Sequence, residues 1–154
     1  MAVNFSLSNN FSIYKSKKYE AIYVILASEK HIFKMGELFT LCVSLGFKHN
    51  NLVPFEKKGS EMRSEQFKEN HLTALYSIMI NSPLIKAELD SFRDYDFIKN
   101  AFKIIEQYAE GGMEILCREV FEKNWNGYEL AEDYEYYDVD LLRFIYEDYK
   151  EGSF

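Results

Sequence analysis

Apolar residues recur every three or four positions over long parts of the chain, which is the spacing of amphipathic helices. One uninterrupted stripe predicts a helix and consists of Met35, Leu38, Phe39, Cys42 and Leu45. Gly46 follows directly, and glycine adopts the left-handed conformation of a helix C-terminus at the lowest cost. We therefore predict that this helix ends at Gly46 and that Phe47 supplies the apolar contact of its cap.

The longest stripe covers residues 94–123 and predicts another helix. Gly111 and Gly112 fall in phase with its apolar positions. A glycine inside a helix costs about 1 kcal/mol relative to alanine, so the pair needs a compensating reason. A bend between two helices is one explanation, and the close approach of another helix's backbone is the other. Because the stripe keeps its phase through the pair, we favour close approach.

Shorter patterns complete the secondary-structure prediction. Residues 19–26 fit a helix better than a buried strand, and a helix over about residues 65–81 is stopped by Ser82-Pro83. Residues 52–55 predict a short edge strand, because their proline excludes a central one. Residues 129–151 predict an amphipathic closing helix on the apolar positions Leu141, Leu142, Ile145 and Tyr149.

The chain of 154 residues has the length of one domain with a single core, and its hydrophobic share of 47% excludes global disorder. We predict an all-α fold, a compact single-domain helical bundle over residues 19–151, with room for one short edge strand or hairpin. Residues 1–18 are predicted to form a flexible N-terminal arm, with an edge strand as the alternative. Residues 128–151 form an acidic, tyrosine-rich C-terminal segment.

Charge is distributed unevenly, with a net +3 over residues 1–70 and a net −10 over residues 71–154. This asymmetry predicts two faces of opposite sign. Six lysines of the basic part are candidates for facing DNA: Lys15, Lys17, Lys18, Lys48, Lys57 and Lys58. Ordinary solvated lysines are the alternative, and a total of four arginines argues against direct reading of bases.

The tyrosines of the acidic segment are candidates for a partner interface, because aromatic side chains are enriched at protein interfaces. They are Tyr134, Tyr136, Tyr137, Tyr146 and Tyr149. We interpret the acidic residues beside them as a solvated helix face. The alternative is that this segment imitates nucleic-acid phosphates in the basic groove of a partner.

Candidate catalytic residues are few. His31, His49 and His71 lack the spacing of a metal site, and Cys42 and Cys117 lie on apolar faces, where we predict buried free thiols. The sequence contains no glycine-rich phosphate loop and no nucleophile elbow. We therefore predict no catalytic residue, no metal and no cofactor.

A metal-dependent nuclease is the enzymatic alternative. Glu56 followed by Lys57-Lys58 resembles half of such a site, but no aspartate precedes it. Asp94-x-Asp96 with Lys99 is the second candidate. It falls where a helix is predicted to begin, and acidic residues there favour the helix dipole. Both patterns are better explained without a metal.

The sequence also bears on location. No apolar run approaches the ~20 residues that a membrane-spanning helix needs. The first ten residues lack the basic and apolar regions of a secretory signal. With only two scattered cysteines, we predict a reducing cytoplasm and no membrane contact.

Two motifs carry a resemblance to a known family. The first is Leu38-Phe39 with Leu45-Gly46-Phe47-Lys48, and the second is the helix from Ile104 to Leu116 that holds Tyr108-Ala109 and the glycine pair. With residues 62–67, they make residues 33–116 resemble the DNA phosphorothioation-associated protein 4 family, also described as Dnd system-associated protein 4.

The resemblance implies an accessory role beside bacterial anti-phage restriction machinery that discriminates modified from unmodified DNA. It carries no catalytic residue to this chain. We therefore expect a non-catalytic adaptor that binds a larger ATPase or nuclease and contacts DNA only indirectly. The alternatives are a DNA-binding module of the same system and an acidic DNA-mimic inhibitor of a defence effector. The longer N-terminal arm and the acidic tail depart from the family pattern, so phosphorothioation systems and other defence operons both stay open.

Overall fold

The computed structural model describes residues 11–29 and 33–152. The fold is 63% helical with one two-stranded sheet, which confirms the prediction of a mainly helical protein. The elements are β1 (Ser12–Ser16), α1 (Glu20–Val24, continued by a π-helical turn over Ile25–Glu29), α2 (Met35–Lys48), β2 (Lys58–Arg63), α3 (Glu69–Asn81), α4 (Tyr95–Glu119) and α5 (Tyr137–Gly152). Short 3₁₀ turns occupy Ser64–Gln66, Leu89–Arg93 and Glu122–Asn124. None of the helices in these ranges is long and apolar enough to cross a bilayer.

The pairing of α2 with α4 forms the centre of the core. α4 runs without a break through Gly111 and Gly112, and the backbone around α2 lies directly against both. A Cβ on Gly112 would overlap the Cys42 carbonyl, and one on Gly111 would overlap the Asn51 carbonyl. Of the two explanations for the glycine pair, the structure has the close backbone approach.

The prediction that the helix ends at Gly46 is wrong. The helix does not end there, because α2 continues to Lys48. Gly46 is a third point of close approach, where a Cβ would overlap the Tyr108 carbonyl. Phe47 packs edge-on against the Tyr108 ring, with 5.7 Å between ring centres. The left-handed residue after the helix is Asn50, at φ 52°.

The strand prediction for residues 52–55 is wrong, because this segment forms no strand. It runs beside α4, and the Val53 N–H donates to the Gln107 carbonyl at 3.1 Å. The sheet consists instead of β1 and β2 in antiparallel pairing, with a bulge between the Tyr14–Glu61 and Ser16–Lys58 pairs. The edge-strand alternative for the N-terminal arm therefore describes Ser12–Ser16, where Ile13 is buried. Residues 1–10 of the predicted arm lie outside the described residues.

α5 closes the molecule against the end of α2. Leu141 is fully buried on its inner face, and the Lys48 ammonium bonds to the Asp148 carboxylate at 2.9 Å. His49 Nε2 lies 2.7 Å from the other Asp148 carboxylate oxygen. These contacts fix the rotation of α5 about its axis and determine which side chains it presents outward.

Candidate functional site

Four of the six lysines predicted to face DNA lie near one another. The N–H of Lys17 donates to the carbonyl of Lys57 at 3.0 Å, which joins the end of β1 to the start of β2. Lys17, Lys18 and Lys57 line one pocket, and Lys58 lines a separate groove. The structure therefore distributes these four lysines over the linings of two concave sites.

The other two lysines are elsewhere. Lys48 is engaged by Asp148 at the base of α5. Lys15 is 3% exposed, and its Nζ lies 5.7 Å from the centre of the Tyr23 ring. Burial lowers the pKa of Lys15 to about 8, against a weaker opposing effect of Glu20. A DNA-facing role does not fit the burial of Lys15.

The groove that Lys58 lines separates the first half of α4 from β1 and has a volume of about 670 Å³. One face of α4 supplies Tyr95, Lys99, Lys103 and Glu106, which are four, four and three residues apart. That spacing places all four side chains on the same side of a helix. The strands and the connecting segment add further side chains: Phe11, Ser12, Tyr14, Phe55, Glu56 and Lys58.

Three contacts organise this groove. The Tyr14 N–H donates to Glu106 Oε2 at 2.8 Å and ties β1 to α4. Lys58 Nζ lies 4.5 Å from the centre of the Tyr14 ring, within the range of a cation–π contact. Phe11 stacks on Tyr95 with 4.8 Å between ring centres and 18° between ring planes. The result is a cleft with aromatic sides and ammonium groups at its edge.

Glu106 is the half-buried acidic group of this groove. Burial raises its pKa, while the Tyr14 N–H, Lys58 and Lys103 act in the opposite direction. Three lysines and two glutamates, Glu56 and Glu106, line the cleft. With both carboxyl groups ionised, the side chains carry a net charge of +1 there.

The pocket of Lys17, Lys18 and Lys57 has a volume of about 330 Å³ and contains Glu110. Glu110 is 5% exposed, and burial raises its pKa to about 7. The Ser16 hydroxyl and Lys18 lower that pKa in part, and nearby carboxylates raise it further. The buried Ser16 hydroxyl approaches Glu110 without meeting hydrogen-bond geometry.

The two cysteines are buried free thiols, as predicted. Burial raises the pKa of Cys42 to about 12, opposed by a hydrogen bond with Tyr23. Burial also raises the pKa of Cys117. Both thiols are therefore protonated at neutral pH, and a protonated thiol is a poor nucleophile.

Within the described part of the chain, no group of three or more His, Cys, Asp or Glu residues could hold a metal ion. Asp94 caps α4 and accepts the Phe97 N–H at 3.2 Å, which is the role expected for an acidic residue at a helix start. His71 accepts the Lys68 N–H at 3.2 Å. His31 lies outside the described residues.

α5 has a second apolar stripe on its outward side. Val139, Leu142, Tyr146 and Tyr149 are spaced three, four and three residues apart and are 48, 57, 65 and 72% exposed. This is the spacing of an apolar seam that meets another helix. These four residues form the outer stripe of α5.

The five tyrosines predicted as a partner interface divide into two groups. Tyr136, Tyr146 and Tyr149 are exposed. Tyr134 and Tyr137 are half-buried with 5.9 Å between their ring centres, and the Tyr134 hydroxyl donates to Asp140 at 2.7 Å. The second pair therefore anchors the start of α5, while the first group faces away from the core.

Sequence reasoning missed Tyr14, Tyr95, Lys103 and Glu106 as residues of one groove. The spacing of the α4 residues indicates that they share one helix face. That face is polar, whereas the helix prediction rests on the apolar positions of the opposite face. Tyr14 is 92 residues away from Glu106, so no local pattern connects β1 to this face.

The family model for DNA sulphur modification system-associated protein 4 matches residues 13–132. The match contains α1 to α4, β2 and nearly all of β1, while α5 follows it. Neither the curated proteins nor the solved structures include a match to the chain.

Proposed function

Because the chain belongs to the DNA sulphur modification system-associated protein 4 family, we propose that it is a non-catalytic accessory subunit that docks a larger protein of that system on the outer stripe of α5. The family supports the association with DNA sulphur modification. The docking role, a partner with ATPase or nuclease activity and a place in anti-phage restriction are parts of the proposal.

The outer stripe is the observation that carries the docking role. Four large apolar or aromatic side chains on one helix face are each about half or more exposed. Burying such a side chain contributes about 1.5–3 kcal/mol, so the stripe can supply the central part of an interface. Its spacing fits a partner helix that lies along α5.

The support beneath α5 makes this surface suitable for binding. Leu141 is buried under the helix, and Asp148 is held by Lys48 and His49. The outward face is thus fixed before a partner arrives, which lowers the entropy cost of association. Glu147 and Glu151 are exposed on the same helix and favour basic side chains at the rim of the partner surface.

The experiment is co-purification of the chain with the other proteins of the same DNA sulphur modification system after co-expression. We expect the wild-type chain to elute with one larger protein. Replacing Leu142→Glu and Tyr146→Glu together places two charges in the stripe, and this variant should elute alone with an unchanged melting temperature.

The matched control is Arg143→Glu, which also changes the net charge by −2 but at an exposed position off the stripe. It should retain the partner. If the stripe variant keeps the partner as the wild type does, the docking site is rejected. If light scattering shows a stripe-dependent dimer of this chain and no other protein binds, the stripe is a self-association surface and the accessory role loses its support.

A further inference from the structure

We propose that the groove between α4 and β1 binds one nucleotide unit of single-stranded DNA, with the phosphate on Lys58, Lys99 and Lys103 and the base on Tyr95 beside Glu106. This site is separate from the outer stripe and does not depend on the docking role. Three features of the groove support this site, namely its cations, its exposed ring and its acidic group.

The cations fit a single phosphodiester. Lys58, Lys99 and Lys103 are exposed, and the carboxyl groups of Glu56 and Glu106 balance two of their charges. The remaining net charge of +1 matches the single negative charge of a phosphodiester inside a strand. The larger charge of the terminal phosphate on a free nucleotide matches less well, so a strand is the favoured source.

The aromatic side chains fit a base. Tyr95 is 46% exposed at the mouth of the groove, and Phe11 stacks beneath it, so the ring is held in place. Tyr14 and Phe55 are half-buried further along the same cleft. Lysines that follow a backbone, together with rings on which bases stack, are the recurring composition of sites for single-stranded nucleic acid.

Glu106 gives the site a preference among bases. The Tyr14 N–H engages Oε2 and fixes the direction of the carboxyl group. We assign the other carboxylate oxygen as the acceptor for an exocyclic amino group, which cytosine has and thymine lacks. The groove should therefore favour a cytosine unit over a thymine unit.

The test measures binding of fluorescein-labelled dC6 and dT6 to the isolated full-length chain by fluorescence anisotropy at several salt concentrations. We expect dC6 to bind more tightly than dT6, and Glu106→Gln to abolish the difference. Tyr95→Ala should weaken dC6 binding at least about fivefold, the lower end for loss of a base stack. Tyr95→Phe keeps the ring and should bind as the wild type does.

The double variant Lys99→Ala/Lys103→Ala tests the lysines. The negative slope of log affinity against log salt should become shallower by about 0.7, the value for one phosphate contact. Lys68→Ala/Lys123→Ala removes the same charge at exposed positions outside the groove and should leave the slope unchanged. Competition with dCMP distinguishes a DNA strand from a free nucleotide as the ligand of the groove. Weak competition supports a strand, and competition as strong as that of unlabelled dC6 overturns the strand assignment in favour of a free nucleotide.

Two results overturn the site. One is no detectable binding of either hexamer at about 1 mM protein, a concentration at which even weak association is populated. The other is that every groove variant binds dC6 with the affinity of the wild type. The Leu142→Glu/Tyr146→Glu variant should bind dC6 normally, so failure of this site and failure of the docking role are distinguishable.

Discussion

Gly112 and Cys42 meet backbone to backbone at the crossing of α4 and α2. A Cβ on Gly112 would overlap the Cys42 carbonyl, and a backbone atom cannot move aside as the end of a flexible side chain can. Gly46 and Gly111 make equivalent contacts with Tyr108 and Asn51. The two helices are therefore packed more closely than any side chain at these positions would allow.

The first prediction concerns that crossing. Gly112→Leu should lower the free energy of unfolding by more than about 3 kcal/mol, because overpacking commonly costs 1–3 kcal/mol and here the obstacle is backbone. Gly112→Ala should also destabilise. If the site had free space, alanine would instead stabilise the helix by about 1 kcal/mol. The sign of the change in the free energy of unfolding, measured in urea, therefore distinguishes close backbone contact from free space. Asn100→Ala, at an exposed position of α4, is the control and should be neutral or stabilising.

The second prediction concerns pH and Glu110. The pKa of Glu110 in the folded chain is raised to about 7, so folding favours the protonated carboxyl. Its contribution to stability is full below the ordinary pKa, near 4.3, and is lost as pH rises through about 7. Lys15, with a pKa lowered to about 8, titrates above this window.

The free energy of unfolding of the wild type should therefore fall by about 2–3 kcal/mol between pH 4.5 and pH 8 because of Glu110, and this fall should be absent in Glu110→Gln. Urea unfolding of the wild type and the variant at four pH values measures the difference directly. Glu122→Gln, at an exposed position, should follow the wild type. A difference between wild type and Glu110→Gln that is independent of pH would contradict the raised pKa.

The third prediction concerns the anchor of α5. Burial alone would raise the pKa of Asp148, but the hydrogen bonds from Lys48 and His49 outweigh it and hold the pKa below its usual range. The stabilisation is therefore present above pH ~4 and is lost as pH falls through the folded-state pKa. Asp148→Asn should cost about 1–2 kcal/mol, a value limited by the partly exposed partners.

Hydrogen exchange of the α5 amides is the measurement for this anchor. Exchange should accelerate in Asp148→Asn while the amides of α4 keep their protection. Glu147→Gln removes a charge from the neighbouring exposed position and should change little. Unchanged protection of α5 in Asp148→Asn would show that its apolar contacts hold the helix without the Asp148 anchor.

The fourth prediction concerns the thiols. Because Cys42 and Cys117 are buried and the pKa of each is raised, neither should react with iodoacetamide in the native chain at pH 8. Mass spectrometry should show no adduct until urea unfolds the protein. A native adduct formed at the rate of free cysteine would contradict the burial.

The sequence predicted the helices whose apolar periodicity is long, including α4 with its glycine pair. It did not predict the role of Gly46, because a glycine at a helix end and a glycine under a crossing backbone look alike until the partner, Tyr108, is known. β2 was missed because Met62 is its only buried residue, which leaves no alternation to detect. The groove joins Tyr14 to Glu106 across 92 residues, a distance that no periodicity measures.

The strand β1 lines both clefts, and the bulge in the sheet lies at the point where it passes from one cleft to the other. Between the Tyr14 and Ser16 pairs, Gly59 and Ser60 of β2 oppose the single residue Lys15 of β1. Gly59 allows the chains to approach there, since a Cβ would stand 2.8 Å from the Ser16 carbonyl. Tyr14 lines the groove, and Ser16, two residues further along β1, lines the Glu110 pocket. The two cavities therefore share one strand and one glutamate, Glu56, as a common wall.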